Sequence, residues 1–253
     1  LHATKLAIPI NFVVMIAAIN SIRNLSDRVK VFELHLPEAV GFIAGQFVIV
    51  KALINGESIE RSYSIANQKA EKTNALELCV ALNTAGMMTP YLFGLGTGAK
   101  LEISMPQGGF VLRDTSVDVP NLFVCTGTGV APFRSMIAAS LALNPNRHVH
   151  LVFGNRKVED VLYHEHWLAL REQNSNFHYH PVLSKCDEGL AALPNSNNFH
   201  KGYVHPVYEQ LLSKDLGSHV YVCGWEVMCK ESRERLKAMG LTRRQYFFEQ
   251  YDG

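Results

Sequence analysis

The chain has 253 residues, enough for one large or two modest domains that each bury a core. Hydrophobic residues make up 47% and charged residues 19%, which excludes an intrinsically disordered chain. The formal net charge of +1, with histidine neutral, leaves no field that favours nucleic acid or an anionic membrane surface. Cys79, Cys125, Cys186, Cys223 and Cys229 are scattered and odd in number, with no C-x-x-C pair. That argues against a disulfide framework, a structural zinc site or an iron–sulfur cluster in this chain, and it fits a reducing cytoplasm.

The first predicted element is the apolar run Phe12–Ile19, behind Lys5. It has the look of a signal-peptide core, but no small-residue cleavage site follows and it is too short to span a bilayer. It is expected to be an opening buried strand. Strand-like runs follow at 29–36, 46–50, 75–80 and 100–105, punctuated by Pro37, Gly41, Gly45, Asn55-Gly56, Asn67 and Gly96. Short strands with such turns predict an antiparallel β-barrel or sandwich over residues 1–115.

Arg61-Ser62-Tyr63-Ser64 falls at the end of a further barrel strand, following Gly56-Glu57-Ser58-Ile59-Glu60. An arginine fork can hold a diphosphate, a tyrosine ring offers a stacking plane, and a serine hydroxyl can reach a ring nitrogen. Together they suit a flat, phosphorylated cofactor; an ordinary strand with one charged and one aromatic residue in solvent would read the same way.

After a linker at 114–120 the rhythm changes. Strand-like runs at 121–125, 149–153, 177–183 and 219–223 alternate with helix-like stretches at 132–143, 159–173, 205–214 and 225–239. This predicts an α/β domain over 116–253 with a mainly parallel sheet. Thr126-Gly127-Thr128-Gly129 joins the first of these strands to its helix, at the carboxyl end where such sheets bind ligands. Glycines there let the backbone approach a phosphate closely, and the helix N–H groups face the same spot. A short G-x-G without the full G-x-G-x-x-G is equally compatible with plain α/β architecture.

The order of R-x-Y-S at Arg61–Ser64, Gly108-Gly109-Phe110, G-T-G-V-A-P at Gly127–Pro132 and Cys223-Gly224 resembles the ferredoxin–NADP reductase superfamily, from about Ile16 to Tyr251. The resemblance implies FAD and NADP(H), with NAD(H) as the alternative nucleotide. It places Arg61 on the flavin pyrophosphate, Tyr63 against the isoalloxazine and Ser64 near flavin N5. Gly86, Met87, Met88 and Thr89 match its second flavin-phosphate segment, also readable as a strand leading into a capped helix. Thr126, Gly127, Thr128 and Gly129 match its nicotinamide-nucleotide turn. Cys223 and Gly224 match the segment beside the nicotinamide, and Glu249 and Tyr251 match an ending in which an acidic residue precedes an aromatic that covers the flavin. The implied catalytic group is Ser64, Cys223, Glu249 and Tyr251.

A ribose 2′-phosphate needs cationic partners; the resemblance places Arg156, Lys185 and Lys201, with the hydroxyl of Ser184, where NADPH-using members tend to place theirs, and ordinary solvated basic residues would read the same way. The implied partner is a separate ferredoxin or flavodoxin. The reductase component of an oxygenase and an NAD(P)H–flavin reductase are alternatives, and a flavin-binding relay or regulatory subunit is the non-enzyme reading. The pairs His164/His166 and His178/His180 are expected to be solvated surface histidines rather than metal ligands.

Overall fold

The computed structural model describes residues 14–113, 119–185, 199–214 and 216–251. Phe12 and Val13 of the predicted opening strand, residues 114–118 of the predicted linker and Cys186 lie outside the described residues.

The first half builds one antiparallel six-stranded sheet. Its strands are β1 (Val14–Ser26), β2 (Val29–Val40), β3 (Phe47–Ile54), β4 (Glu57–Ser64), β5 (Thr73–Ala81) and β6 (Lys100–Ser104), in the order β4-β3-β6-β1-β2-β5. Helix α1 (Met88–Phe93) packs against β3 and β4. β1 is half-buried rather than buried: Ala17 and Ile19 are in the core, while Val14 is 47% and Ile16 50% exposed. The period-2 pleat explains this, because successive side chains face opposite sides of the sheet. Asn55 and Gly56 both take positive φ, 52° and 84°, the geometry that turns β3 directly into β4. The sheet curls until the chain just past β4 meets β5: Ile65 bridges Leu78, and the Ala66 N–H donates to the Glu77 carbonyl at 2.8 Å. The predicted barrel is therefore a curled sheet closed by a short seam, around Phe32, Leu34, Val48, Val50, Leu76 and Ile103.

The second half is a parallel sheet of β7 (Asn121–Thr126), β8 (Val149–Asn155), β9 (Phe177–Leu183), β10 (His200–Lys201), β11 (His219–Trp225) and β12 (Tyr246–Tyr251), ordered β10-β9-β8-β7-β11-β12. Helices α2 (Ala131–Leu143) and α3 (His164–Gln173) cover one face with Phe123, Trp167 and Tyr221. Helices α4 (Val204–Leu212) and α5 (Glu226–Ala238) cover the other with Val124, Val152 and Tyr208. The helix expected over 159–173 is broken. A short 3-10 turn, Val158–Asp160, ends at Val161, whose backbone is extended with φ −75° and ψ 101°. Tyr163 turns the chain in a left-handed conformation, φ 57°, and α3 starts after it.

The halves share a core. Ala44, Ala66, Cys79 and Phe110 from the first pack with Phe123, Phe133 and Met136 from the second. Phe110 lies 6.0 Å from the Phe133 ring and 6.2 Å from Tyr221.

The histidines differ from expectation. His178 and His180 fall on β9 beside His148 and His150, with Nδ1 of His148 3.1 Å from Nε2 of His178 and Nδ1 of His150 3.2 Å from Nε2 of His180. The His150 and His178 rings stack at 4.6 Å. His164 and His166 are half-buried on α3. Among the described residues no group of three or more His, Cys, Asp or Glu is arranged to hold a metal. Burial, then the neighbouring imidazoles, lowers His150 to about 3, and burial with His200 and His178 lowers His180 to about 4. These rings stay neutral in the folded protein while the unfolded chain takes up protons below about 6.5, so stability is lost as pH falls from there toward 3. A thermal melt should drop by ~10 °C between pH 7 and 4.5, and His150→Phe, which keeps a stacked ring without the proton site, should lessen that drop. A pH-independent melt would rule the stack out as its cause.

Candidate functional site

β4 ends at Ser64, 6% exposed, where the curled sheet closes. β12 lies beside β11 in a register that sets Cys223 opposite Glu249 and Trp225 opposite Tyr251. The Tyr251 hydroxyl donates to Ser64 Oγ at 2.6 Å, and Ser64 Oγ donates to Glu249 Oε2 at 3.1 Å. The Tyr251 hydroxyl also meets the Cys223 thiol. Residues up to 187 positions apart thus form one chain of hydrogen bonds between the two halves.

Burial dominates the electrostatics of the site. Burial pushes the Glu249 carboxyl up to about 7, with the Ser64 hydrogen bond opposing it. Burial, with the Glu249 charge next, pushes the Cys223 thiol well above its usual range, and burial does the same to the Tyr251 phenol. A thiol so disfavoured as thiolate is suited to ring contact rather than nucleophilic attack.

The glycine turn touches this group directly. Thr126 ends β7 in extended backbone, and Gly127–Val130 makes one 3-10 turn, which places Thr128 within it, before α2 begins. Gly127 takes φ +53° with nothing within 4 Å of where a Cβ would stand. Gly129 is opposite in character: a Cβ there would lie 2.3 Å from the Cys223 carbonyl oxygen. Gly224, φ +145°, has Thr126 Oγ1 2.5 Å from its missing Cβ. The G-T-G turn and Cys223-Gly224 are one surface, tight beneath and open above. The open side lies at the amino end of α2, whose Ala131 N–H is bonded to the Thr128 carbonyl.

Arg61 is exposed, its Nη1 bonded at 2.8 Å to the Glu60 carbonyl. Tyr63 packs against the sheet core, and burial raises its phenol to about 12. In the segment 86–89, Gly86 donates to the Asn83 carbonyl at 3.2 Å and Met87 is 39% exposed, whereas Met88 is buried in the core. The Thr89 hydroxyl donates to the Asn83 carbonyl at 3.0 Å and accepts from the Asn83 N–H at 2.9 Å. It stands inside α1, whose N-cap is Met87, so it pins the preceding loop rather than capping the helix.

Arg156, Ser184, Lys185 and Lys201 are exposed at the carboxyl ends of β8, β9 and β10. Backbone bonds join them into a terrace: Ser184 N–H to Asn155 O at 3.0 Å, Lys185 N–H to Arg156 O at 2.9 Å, and Gly202 N–H to Leu183 O at 2.8 Å. The terrace and the G-T-G turn occupy the same end of the sheet.

Sequence reasoning missed two residues. Trp225, 61% exposed, directly follows Gly224. Arg134 is buried, and its Nη1 reaches across to the Ala66 carbonyl and to Glu77 Oε2. A single charge in the apolar stretch Pro132–Ile137, just past the glycine turn, was the available signal.

Residues 17–112 match the family model described as oxidoreductase FAD-binding domain, and residues 123–234 match oxidoreductase NAD-binding domain. The chain is 32% identical over 241 residues to "Ferredoxin--NADP reductase B" of Sorangium cellulosum, covering 93% of this chain and 97% of that protein. It is 30% identical to the CDP-6-deoxy-L-threo-D-glycero-4-hexulose-3-dehydrase reductase of Yersinia pestis, over 92% of this chain and 67% of that one. Its fold is similar to the Amycolatopsis cytochrome P450 reductase GcoB, with a TM-score of 0.82, 26% identity, and coverage of 94% of this chain and 69% of that chain. It is also similar to a ferredoxin NADP+ reductase from Neisseria gonorrhoeae with bound FAD and NADP, with a TM-score of 0.77, 22% identity, and coverage of 94% and 98%. With both binding domains matched in order and a full-length relative above 30%, the chain belongs to the ferredoxin–NADP reductase family of FAD- and NAD(P)-binding oxidoreductases.

Proposed function

We propose that this reductase moves hydride between NADPH and FAD, and single electrons between FAD and a separate ferredoxin or flavodoxin in a reducing cytoplasm. The observation that carries the reading is the meeting of Ser64, Cys223, Glu249 and Tyr251 where the flavin-binding half (1–115) faces the nucleotide-binding half (116–253). Bound FAD supplies the conversion between a two-electron hydride and single electrons. The chain's own residues bind, align and exclude water. Arg61 and the 86–89 segment hold the flavin diphosphate, Tyr63 and Tyr251 flank the ring, and Ser64 serves its N5 edge. Gly127–Gly129 seats the nucleotide pyrophosphate, and Cys223 fills the space beside the nicotinamide. The exposed cations of the terrace favour a 2′-phosphate, although Lys185 and Lys201 lack an arginine's fork.

Anaerobic titration tests this. The purified protein should be yellow and should bleach with NADPH at lower concentration than with NADH; a colourless protein, or one that neither nucleotide bleaches, would overturn the reading. Lys185→Ala with Lys201→Ala should reduce kcat/KM for NADPH by ~10–100-fold and spare NADH. Equal losses would mean that these lysines do not read the 2′-phosphate. The likeness to GcoB at 26% identity supports a second reading, a reductase serving an oxygenase. Comparing the rates of ferredoxin, flavodoxin and P450 reduction separates the two.

A further inference from the structure

Arg134 stands in the first turn of α2, but its side chain leaves its own half of the molecule. Nη1 donates both to the Ala66 carbonyl and to Glu77 Oε2, the latter at 2.6 Å. The guanidinium also covers the Tyr163 ring, 4.2 Å from its centroid. Its two acceptors are themselves tied. The Ala66 N–H donates to the Glu77 carbonyl at 2.8 Å, and the Glu77 N–H donates to Asn67 Oδ1 at 2.8 Å. Asn67 Nδ2 in turn donates to the Ala75 carbonyl at 2.8 Å. Arg134 is only 8% exposed and the Glu77 side chain 27%, and a largely buried pair adds little net stability over a well-packed apolar contact. Stability is therefore a weak reason for an arginine at this position.

Its place in the chain supplies a better one. Arg134 follows Gly129 by five residues along the 3-10 turn and the first turn of α2, and Ala66 follows Ser64 by two. One guanidinium thus bolts the segment that carries the glycine turn to the seam that presents Ser64. We propose that Arg134 is a positioning residue, clamped by Ala66 and Glu77, that sets the spacing and tilt between the nicotinamide-binding turn and the flavin-binding seam. The inference rests on the reductase reading above. Both bonds leave the same nitrogen, Nη1, so what a lysine ammonium lacks is the planar guanidinium that lies over the Tyr163 ring and fixes where that nitrogen points. Ring-to-ring transfer is sensitive to such placement, because a shift of about 1 Å can cost ~100-fold in rate.

The test compares Arg134→Lys and Glu77→Gln with the wild-type holoprotein. Both variants keep polar side chains of similar reach, so neither depends on the survival of an alanine hole. FAD content, NADP+ affinity, the charge-transfer absorbance of stacked nicotinamide and flavin, and the anaerobic single-turnover rate are measured together. Hydrogen exchange at the Ile65 and Ala66 amides is followed without nucleotide. Arg134→Lys should retain FAD and bind NADP+ within about twofold of wild type, yet lose the charge-transfer band and ~10–100-fold in hydride-transfer rate. Faster exchange at Ile65 and Ala66 should accompany the loss. An unchanged band and rate in both variants would overturn the proposal. So would a rate that falls only in proportion to lost FAD, since that is the behaviour of a merely structural contact. If the wild type itself is not bleached by either nucleotide, the reductase reading has failed first, and that control distinguishes the two failures.

Discussion

Gly129→Ala should abolish reduction by NADPH, with kcat/KM down by at least ~100-fold, while the protein stays yellow and is still bleached by a chemical reductant. The reason is a backbone collision. The new methyl would lie 2.3 Å from the Cys223 carbonyl oxygen, 2.7 Å from its carbon and 2.8 Å from Gly224 Cα. None of these atoms belongs to a flexible side chain, and β11 is held by β7 on one side and β12 on the other. The turn must therefore lift away from Cys223, carrying the nucleotide seat with it. The flavin-binding half makes none of these contacts, so FAD should remain. Gly127→Ala is the control: its methyl meets nothing within 4 Å, and only the positive φ of +53° opposes it, a cost of about 1 kcal/mol. Equal effects from the two substitutions would show that the Cys223 contact is not what demands glycine.

Glu249→Gln should remove an inflection near pH 7 from the rate profile and leave a pH-independent rate ~100-fold lower. The Glu249 carboxyl is raised to about 7 by burial, so it holds a proton below that pH and loses it above. Ser64 Oγ donates to Oε2 when the carboxyl is ionised; once Oε2 is protonated the bond reverses, and Oε2–H donates to Ser64 Oγ, the direction a relay from Glu249 toward the proposed flavin edge needs. Wild-type rate should therefore fall as pH rises through 7. A glutamine keeps a hydrogen bond to Ser64 but has no proton to give. Stability has the same sign. A folded pKa above the unfolded one stabilises fully below the unfolded value, near 4.5, and that contribution is lost as pH rises through 7. Glu249→Gln should accordingly melt higher than wild type at pH 8 and close to it at pH 4. A wild-type profile flat from pH 6 to 8 would remove Glu249 from the proton path.

Much of this was legible because the informative signals are local. Asn55-Gly56 announced a turn, and the run Asn121–Cys125 before Gly127 announced a strand-turn-helix. Both depend on dihedrals that few residue types supply. The split of the helix expected over 159–173 was not legible, because it lies in an extended Val161 and a left-handed Tyr163, conformations that neither residue type announces. The half-buried histidines escaped for a similar reason. His178 and His180 read as polar alternation in one strand, and only the register with β8 stacks His178 on His150. In the site, the motifs identified which segments matter but not how they meet. Nothing in the spacing of Ser64 and Tyr251 says that their hydroxyls lie 2.6 Å apart, and nothing near Thr89 says that Asn83 occupies its hydroxyl.

The parallel pairing of β11 with β12 has a consequence for biosynthesis. Glu249 and Tyr251 reach Ser64 only when β12 has left the ribosome and docked along β11, some 185 residues after β4 was made. The curled sheet, whose strand pairs all lie within residues 14–104, can fold well before that. The nascent chain therefore exposes a flavin-binding half whose Ser64 still lacks its partners, and the last strand to arrive closes it.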